Sequence, residues 1–175
     1  MAGIKAWQAA EIAAIIDADA PQADFQALDF SSDTRSLRAG EVYVALNGEH
    51  FRGSDFVPQA RERGAVAAIV DSRHEDSLPQ LVVADSKKAL GLLGQARRRL
   101  SRARIFAITG SNGKTTTKEI LAAILAHAGE TLYTQGNLNN DIGVPLTLLR
   151  LRDEHQYAVI EMGANHGGEI AYLAG

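Results

Sequence analysis

Between Arg104 and His127 an apolar run, a glycine-rich turn and an amphipathic run follow one another, and this succession constrains the fold more than any other feature. Ile105-Phe106-Ala107-Ile108-Thr109 predicts a buried strand and Gly110–Gly113 a loop. Lys114 to His127 predicts a helix with Ile120, Leu121, Ile124 and Leu125 on one face, closed by Gly129. The first amides of such a helix have no partners within it and point outward, which makes an anion site. Gly110 and Gly113 let the backbone, with Ser111 and Asn112 between them, curl around phosphate. Lys114 places a cation at the β- and γ-phosphates of a nucleotide such as ATP. Thr115, followed by Thr116 and Thr117, offers a hydroxyl to the Mg²⁺ that bridges them. The usual spacing, G-x-x-x-x-G-K-[ST], would need glycine at Ile108; here the loop is the shorter G-x-x-G-K-T.

Further strands and helices alternate around this loop. Upstream, a helix is predicted from Trp7 to Ile16, a strand over Glu41–Leu46 ending at the Asn47-Gly48 turn, and a helix from Phe56 to Arg63 stopped by Gly64. Strands are predicted over Ala65–Val70 and Leu81–Ala84, and a helix from Ser86, its N-cap, to about Arg102. The basic run Arg97-Arg98-Arg99 reads as a solvated helix end. Downstream come strands at Thr131–Thr134 and Tyr157–Glu161, a helix from Asp141 to Leu151 with Pro145 near its first turn, and a helix beginning at Gly168. Alternation of this kind implies an α/β fold with a mostly parallel sheet. The expected organisation is a small α/β domain over residues 1–85, a connecting helix over 86–103, and the start of a phosphate-loop α/β domain over 104–175, truncated at the chain end.

The 175 residues are 46% hydrophobic, which suits a packed core. A net charge of −3 and a pI near 5.9 disfavour nucleic acid as the main partner. No apolar run approaches the roughly 20 residues of a membrane helix. The absence of cysteine excludes disulfides and is compatible with a reducing cytoplasm. A cytoplasmic monomer is expected.

Three further places invite chemistry. Glu161 ends an apolar strand, where it could hold Mg²⁺ opposite the phosphate loop or be an ordinary strand-end acid. Gln135-Gly136-Asn137-Leu138-Asn139-Asn140-Asp141 reads equally as a capped turn. His166 could touch metal or substrate, although a lone loop histidine is more often a bystander.

Ile108 to Thr117 resembles the phosphate loop of the Mur ligases, which share the short G-x-x-G-K-[ST] spacing. Gly136-Asn137-Leu138-Asn139-Asn140-Asp141-Ile142-Gly143-Val144-Pro145 and Val159 to Ile170, containing Glu161-Met162-Gly163-Ala164-Asn165-His166, resemble the branch that joins D-alanyl-D-alanine to UDP-N-acetylmuramoyl tripeptide. Ser32-Asp33-Thr34-Arg35 and Gly40 to Gly48 resemble the UDP-binding domain of the same enzymes. The resemblance implies a ligase that uses ATP and Mg²⁺ and passes through an acyl phosphate. Lys114 and Glu161 would be catalytic, Thr115 and Glu161 would hold the metal, and Gly110 to Thr116 would bind the nucleotide. Asn137, Asn139, Asn140 and His166 would line the substrate cleft, with Ser32, Thr34, Arg35, Asn47 and Gly48 near UDP. Family members carry further metal-site residues and a closing C-terminal domain beyond the part matched. The chain alone is therefore expected not to ligate. The other reading left open is a UDP-sugar-binding module without catalysis.

Overall fold

The computed structural model describes residues 6–19, 23–164 and 168–174. The chain divides into two units, Ile4–Leu93 and Gly94–Gly175.

In the first unit, β1 (Trp7–Gln8) pairs antiparallel with β2 (Gln26–Ala27), and α1 (Ala9–Ile16) follows β1 directly. The helix expected from Trp7 therefore starts two residues later, because Trp7 and Gln8 are used in pairing. The Trp7 ring also stands edge-on to Phe30, with centroids 5.6 Å apart. Four strands, β3 (Asp29–Ser31), β4 (Glu41–Val44), β5 (Ala67–Val70) and β6 (Gln80–Val82), form a parallel sheet in sequence order. A 3-10 turn (Gly53–Phe56) and α2 (Val57–Glu62) cross from β4 to β5. Leu37, Tyr43, Ala45, Val57, Ala60, Ala68 and Val70 pack as one core.

The long helix α3 (Ser86–Leu100) contains the division between the units. Asp85 caps it, not Ser86: the amides of Lys87 and Lys88 donate to Asp85 Oδ1 at 2.8 and 3.0 Å. Ser86, already inside the helix and buried, is too late to accept them.

In the second unit, β7 (Arg104–Ile108), α4 (Lys114–Ala126), β8 (Thr131–Tyr133), α5 (Gly143–Leu149), β9 (Tyr157–Glu161) and α6 (Glu169–Ala174) alternate. The parallel sheet has the order β7-β9-β8, so the last strand lies between the first two. Leu132, Val144, Leu148, Leu151, Ala158, Ile160 and Met162 form its core. Ile108 is the register partner of Glu161, which sets the end of β9 beside the start of the glycine loop.

β7 was expected to be buried, but it is an edge strand with β9 on one side only, and Phe106 is 38% exposed. The apolar face expected to anchor α4 is largely open as well: Ile120 and Ile124 are 57% and 61% exposed. The helix packs on β8 and β9 through Lys118 and Ala122, which are the residues it buries.

Candidate functional site

The glycine loop joins β7 to α4 at the carboxyl end of the sheet, where open α/β folds collect ligands. Gly113 begins the helix with φ +75°, a backbone conformation that a side chain would strain. Ser111, Asn112, Gly113, Thr115 and Thr116 are exposed and Lys114 is half-buried. The Lys114 ammonium donates to Gly110 O at 2.8 Å, so it lies folded over the loop it would share with a phosphate.

Glu161 faces this loop from the end of β9. Its carboxylate is only 2% exposed. Oε1 accepts hydrogen bonds from Asn139 Nδ2 at 2.8 Å and Thr115 Oγ1 at 3.3 Å. Its backbone N–H donates to Thr134 Oγ1 at 2.9 Å, and Thr134 is itself fully buried. Two residues on, the Gly163 N–H donates to Asn139 O at 2.7 Å. The structure thus brings together Thr115, Asn139 and Glu161 from three separate segments.

Asn140 has a different task. Its Oδ1 accepts from the amides of Gly143 (2.8 Å) and Ile142 (3.3 Å), which ties the 135–141 loop to the start of α5. Asn137 is exposed, and its carbonyl accepts from the Asn139 amide at 2.8 Å. His166 lies outside the described residues.

The donor set of this site suits Mg²⁺. Glu161 Oε2 is buried and receives no hydrogen bond, so the carboxylate has unused acceptor capacity. A carboxylate oxygen and a threonine hydroxyl are hard oxygen donors, as Mg²⁺ requires, with substrate phosphates and water completing an octahedron. No group of three or more His, Cys, Asp or Glu is gathered for a metal among the described residues, so an all-protein cage is not available. The residues fit a metal shared with a nucleotide.

Two residues here escaped the sequence. Thr134 fixes the Glu161 backbone, and Lys118, one turn beyond Lys114, is fully buried with Nζ 3.6 Å from Glu161 Oε2. The only sequence signal for either was its nearness to a motif.

The first unit has its own cluster, also after strand ends. Ser32, Thr34 and Arg35 follow β3, and Asn47 and Gly48 follow β4. Asn47 Nδ2 donates to Asp71 Oδ2, and Asn47 Oδ1 accepts from the Gly53 amide at 2.9 Å, so this side chain ties the β4 and β5 ends to the 3-10 turn. The Gly48 amide donates to Phe51 O at 3.1 Å. Arg35 grips Asp33 through Nε and Nη2, at 2.9 and 2.7 Å, and holds that carboxyl below the usual carboxylate range. Thr34 is buried and donates to Gln59 Oε1 on α2. Ser32 is half-buried.

Both units of the chain resemble known proteins. Residues 108–175 match the family model described as Mur ligase middle domain, and residues 30–98 match the one described as Mur ligase family, catalytic domain. The UDP-N-acetylmuramoyl-tripeptide–D-alanyl-D-alanine ligase of Escherichia coli is 51% identical over 90% of this chain, and that of Haemophilus influenzae is 48% identical over 81%. The chain spans 35% and 32% of the length of these two relatives. Among solved structures, a crystal structure of MurF from Acinetobacter baumannii is 44% identical, with a TM-score of 0.88 over 98% of this chain and 39% of its own. MurF from Thermotoga maritima, solved in complex with ADP, is 34% identical with a TM-score of 0.75, over 83% of this chain and 34% of its own. With two family models matched in succession along the chain, and relatives and solved structures of the same kind, the chain belongs to the Mur ligase family.

Proposed function

We propose that this chain supplies the nucleotide-phosphate site and the UDP-sugar side of an ATP-dependent amide ligase of peptidoglycan precursor synthesis. The substrates are UDP-N-acetylmuramoyl tripeptide and D-alanyl-D-alanine. The observation that carries this reading is the meeting of Thr115, Asn139 and Glu161 at the mouth of the glycine loop. The names of the relatives support the choice of substrates.

In the reaction, a terminal carboxylate oxygen of the tripeptide bonds to the γ-phosphorus of ATP as the β–γ bridging P–O bond breaks, and ADP leaves. The amine of the dipeptide then bonds to the acyl carbon. The bond to phosphate breaks, inorganic phosphate departs and the amine gives up a proton to solvent. Such phosphoryl transfer needs position and charge neutralisation, with no protein nucleophile. The amides at the start of α4 and the glycines of the loop hold the phosphates in line. Lys114, released from Gly110 O, neutralises the transferring group. When bound, Mg²⁺ supplies Lewis-acid stabilisation of the phosphate charge, and Thr115 and Glu161 would hold it. Asn139 keeps the Glu161 carboxylate oriented, and Ser111, Asn112 and Thr116 complete the loop. Ser32, Thr34, Arg35, Asn47 and Gly48 would lie near UDP, and Asn137, Asn140 and His166 would border the cleft. The same reading makes the chain part of a cytoplasmic monomer, and no helix among the described residues is long and apolar enough to cross a membrane.

Calorimetric titration of the chain with UDP-N-acetylmuramoyl tripeptide and, separately, with Mg·ATP tests this. Saturable binding of both is expected. In a polypeptide of the relatives' full length carrying these residues, phosphate release should require both the tripeptide and D-alanyl-D-alanine. Binding of the UDP substrate with none of Mg·ATP would point instead to a binding module.

A further inference from the structure

Lys118 has no part in the chemistry above, yet it is the largest fully buried side chain among the described residues. Its position, four residues past Lys114, puts both lysines on one side of α4. Lys114 reaches the loop, whereas Lys118 points down into the sheet. Its Nζ lies 3.1 Å from Glu119 Oε1, 3.4 Å from Gly136 O and 3.6 Å from Glu161 Oε2. One ammonium therefore touches the phosphate-loop helix, the 135–141 loop and the end of β9.

The distances divide the labour between the two Glu161 oxygens. Oε1 is hydrogen-bonded by Asn139 and Thr115. Among the described residues Oε2 has no hydrogen bond, and the Lys118 ammonium lies 3.6 Å from it. A separation of 3.6 Å is too long for a hydrogen bond but close enough for strong attraction where water is excluded. The ammonium thus offsets the cost of burying a carboxylate without consuming the lone pairs of Oε2. A neutral side chain in its place would remove this counter-charge from a buried carboxylate.

We propose that Lys118 is a positioning residue of the phosphate site: it holds the Glu161 carboxylate buried and aimed at the loop with acceptor capacity in reserve, and it pins the Gly136 carbonyl to the same point. This inference rests on the reading of Glu161 as a metal-holding residue. Lys118 acts through Glu161 and does not touch the nucleotide.

The test is a double-mutant cycle on the chain, read as the Mg²⁺ concentration needed for half-maximal ATP binding. Lys118→Met should raise that concentration by about ten- to hundredfold, as loss of an outer partner of a metal ligand does. ATP binding without Mg²⁺ should stay within about twofold, since the loop amides and Lys114 are untouched. In a Glu161→Gln background, Lys118→Met should add less than about twofold, because the group it acts on is gone. A merely structural role would weaken both backgrounds alike. Should Lys118→Met fail to fold, ¹⁵N-lysine NMR of the unaltered chain gives a second measurement. A protected Lys118 ammonium signal should shift as Mg²⁺ is added with ATP, over the range in which binding saturates. An unchanged or lower Mg²⁺ requirement in Lys118→Met, additive effects in the cycle, or an ammonium signal blind to Mg²⁺ would overturn the role of Lys118. Those outcomes leave the phosphate site standing so long as the unaltered chain binds Mg·ATP; if it does not, the reading of the site itself fails.

Discussion

The Thr115 hydroxyl lies 3.3 Å from Glu161 Oε1, although 46 residues of sequence separate the two. The contact exists because β9 enters the sheet beside β7, so the end of the last strand comes up against the loop leaving the first. A strand-end acid and a loop hydroxyl become one oxygen-rich site through topology.

Replacing Glu161 by Gln removes the charge while keeping the shape. Mg²⁺-dependent ATP binding should weaken by at least about tenfold, equivalent to roughly 1.4 kcal/mol, while Mg²⁺-free ATP binding persists. Calorimetry with and without Mg²⁺ checks this. Equal losses in both conditions would mean that Glu161 supports the loop and not the metal.

Gly143 starts α5 against the backbone of the asparagine loop. A Cβ there would lie 2.4 Å from both the carbonyl carbon and the Cα of Leu138, neither of which can rotate away. Gly143→Ala should cost about 1–3 kcal/mol in urea unfolding, the range for overpacking. It should also weaken Mg²⁺-dependent ATP binding, because the displaced segment carries Asn139. A variant as stable as the parent would show that this loop yields freely.

Tyr43 is buried on β4, and its hydroxyl donates to Gly53 O at 3.1 Å. Burial, with a smaller contribution from Asp33, pushes its pKa from 10.0 up to about 12. The unfolded chain therefore loses this proton first. The associated stability is intact below pH 10 and is lost as pH rises through about 12. Thermal melts across that window should show a fall in Tm that is smaller in Tyr43→Phe. At neutral pH the same variant should lose about 0.5–1.5 kcal/mol for the missing hydrogen bond. An identical alkaline slope in both proteins would show that Tyr43 does not set it.

Much of this site could be read from residues alone, and the gaps have physical causes. The short glycine loop is local: glycines, lysine and threonine act within six residues, and the helix starts at Lys114 as expected. The β9 run Tyr157–Glu161 ends where its polar boundary says it should. Burial is non-local, which is why β7 and the Ile120–Ile124 face read as core but lie open. Lys118 went unread because nothing local marks it for burial: the buried carboxylate near it, Glu161, comes from β9, which lies against α4. The strand β3 went unread because it has a single apolar centre, Phe30, and is held by parallel pairing with Glu41–Tyr43.

Calorimetric titration of the unaltered chain and of Lys114→Ala with ATP, with and without Mg²⁺, tests most directly whether Gly110–Thr115 is an ATP phosphate cradle. Saturable binding strengthened by Mg²⁺, and weakened at least about tenfold in Lys114→Ala, is the predicted result. Absence of binding in the unaltered chain, or binding indifferent to both Mg²⁺ and Lys114, would contradict it.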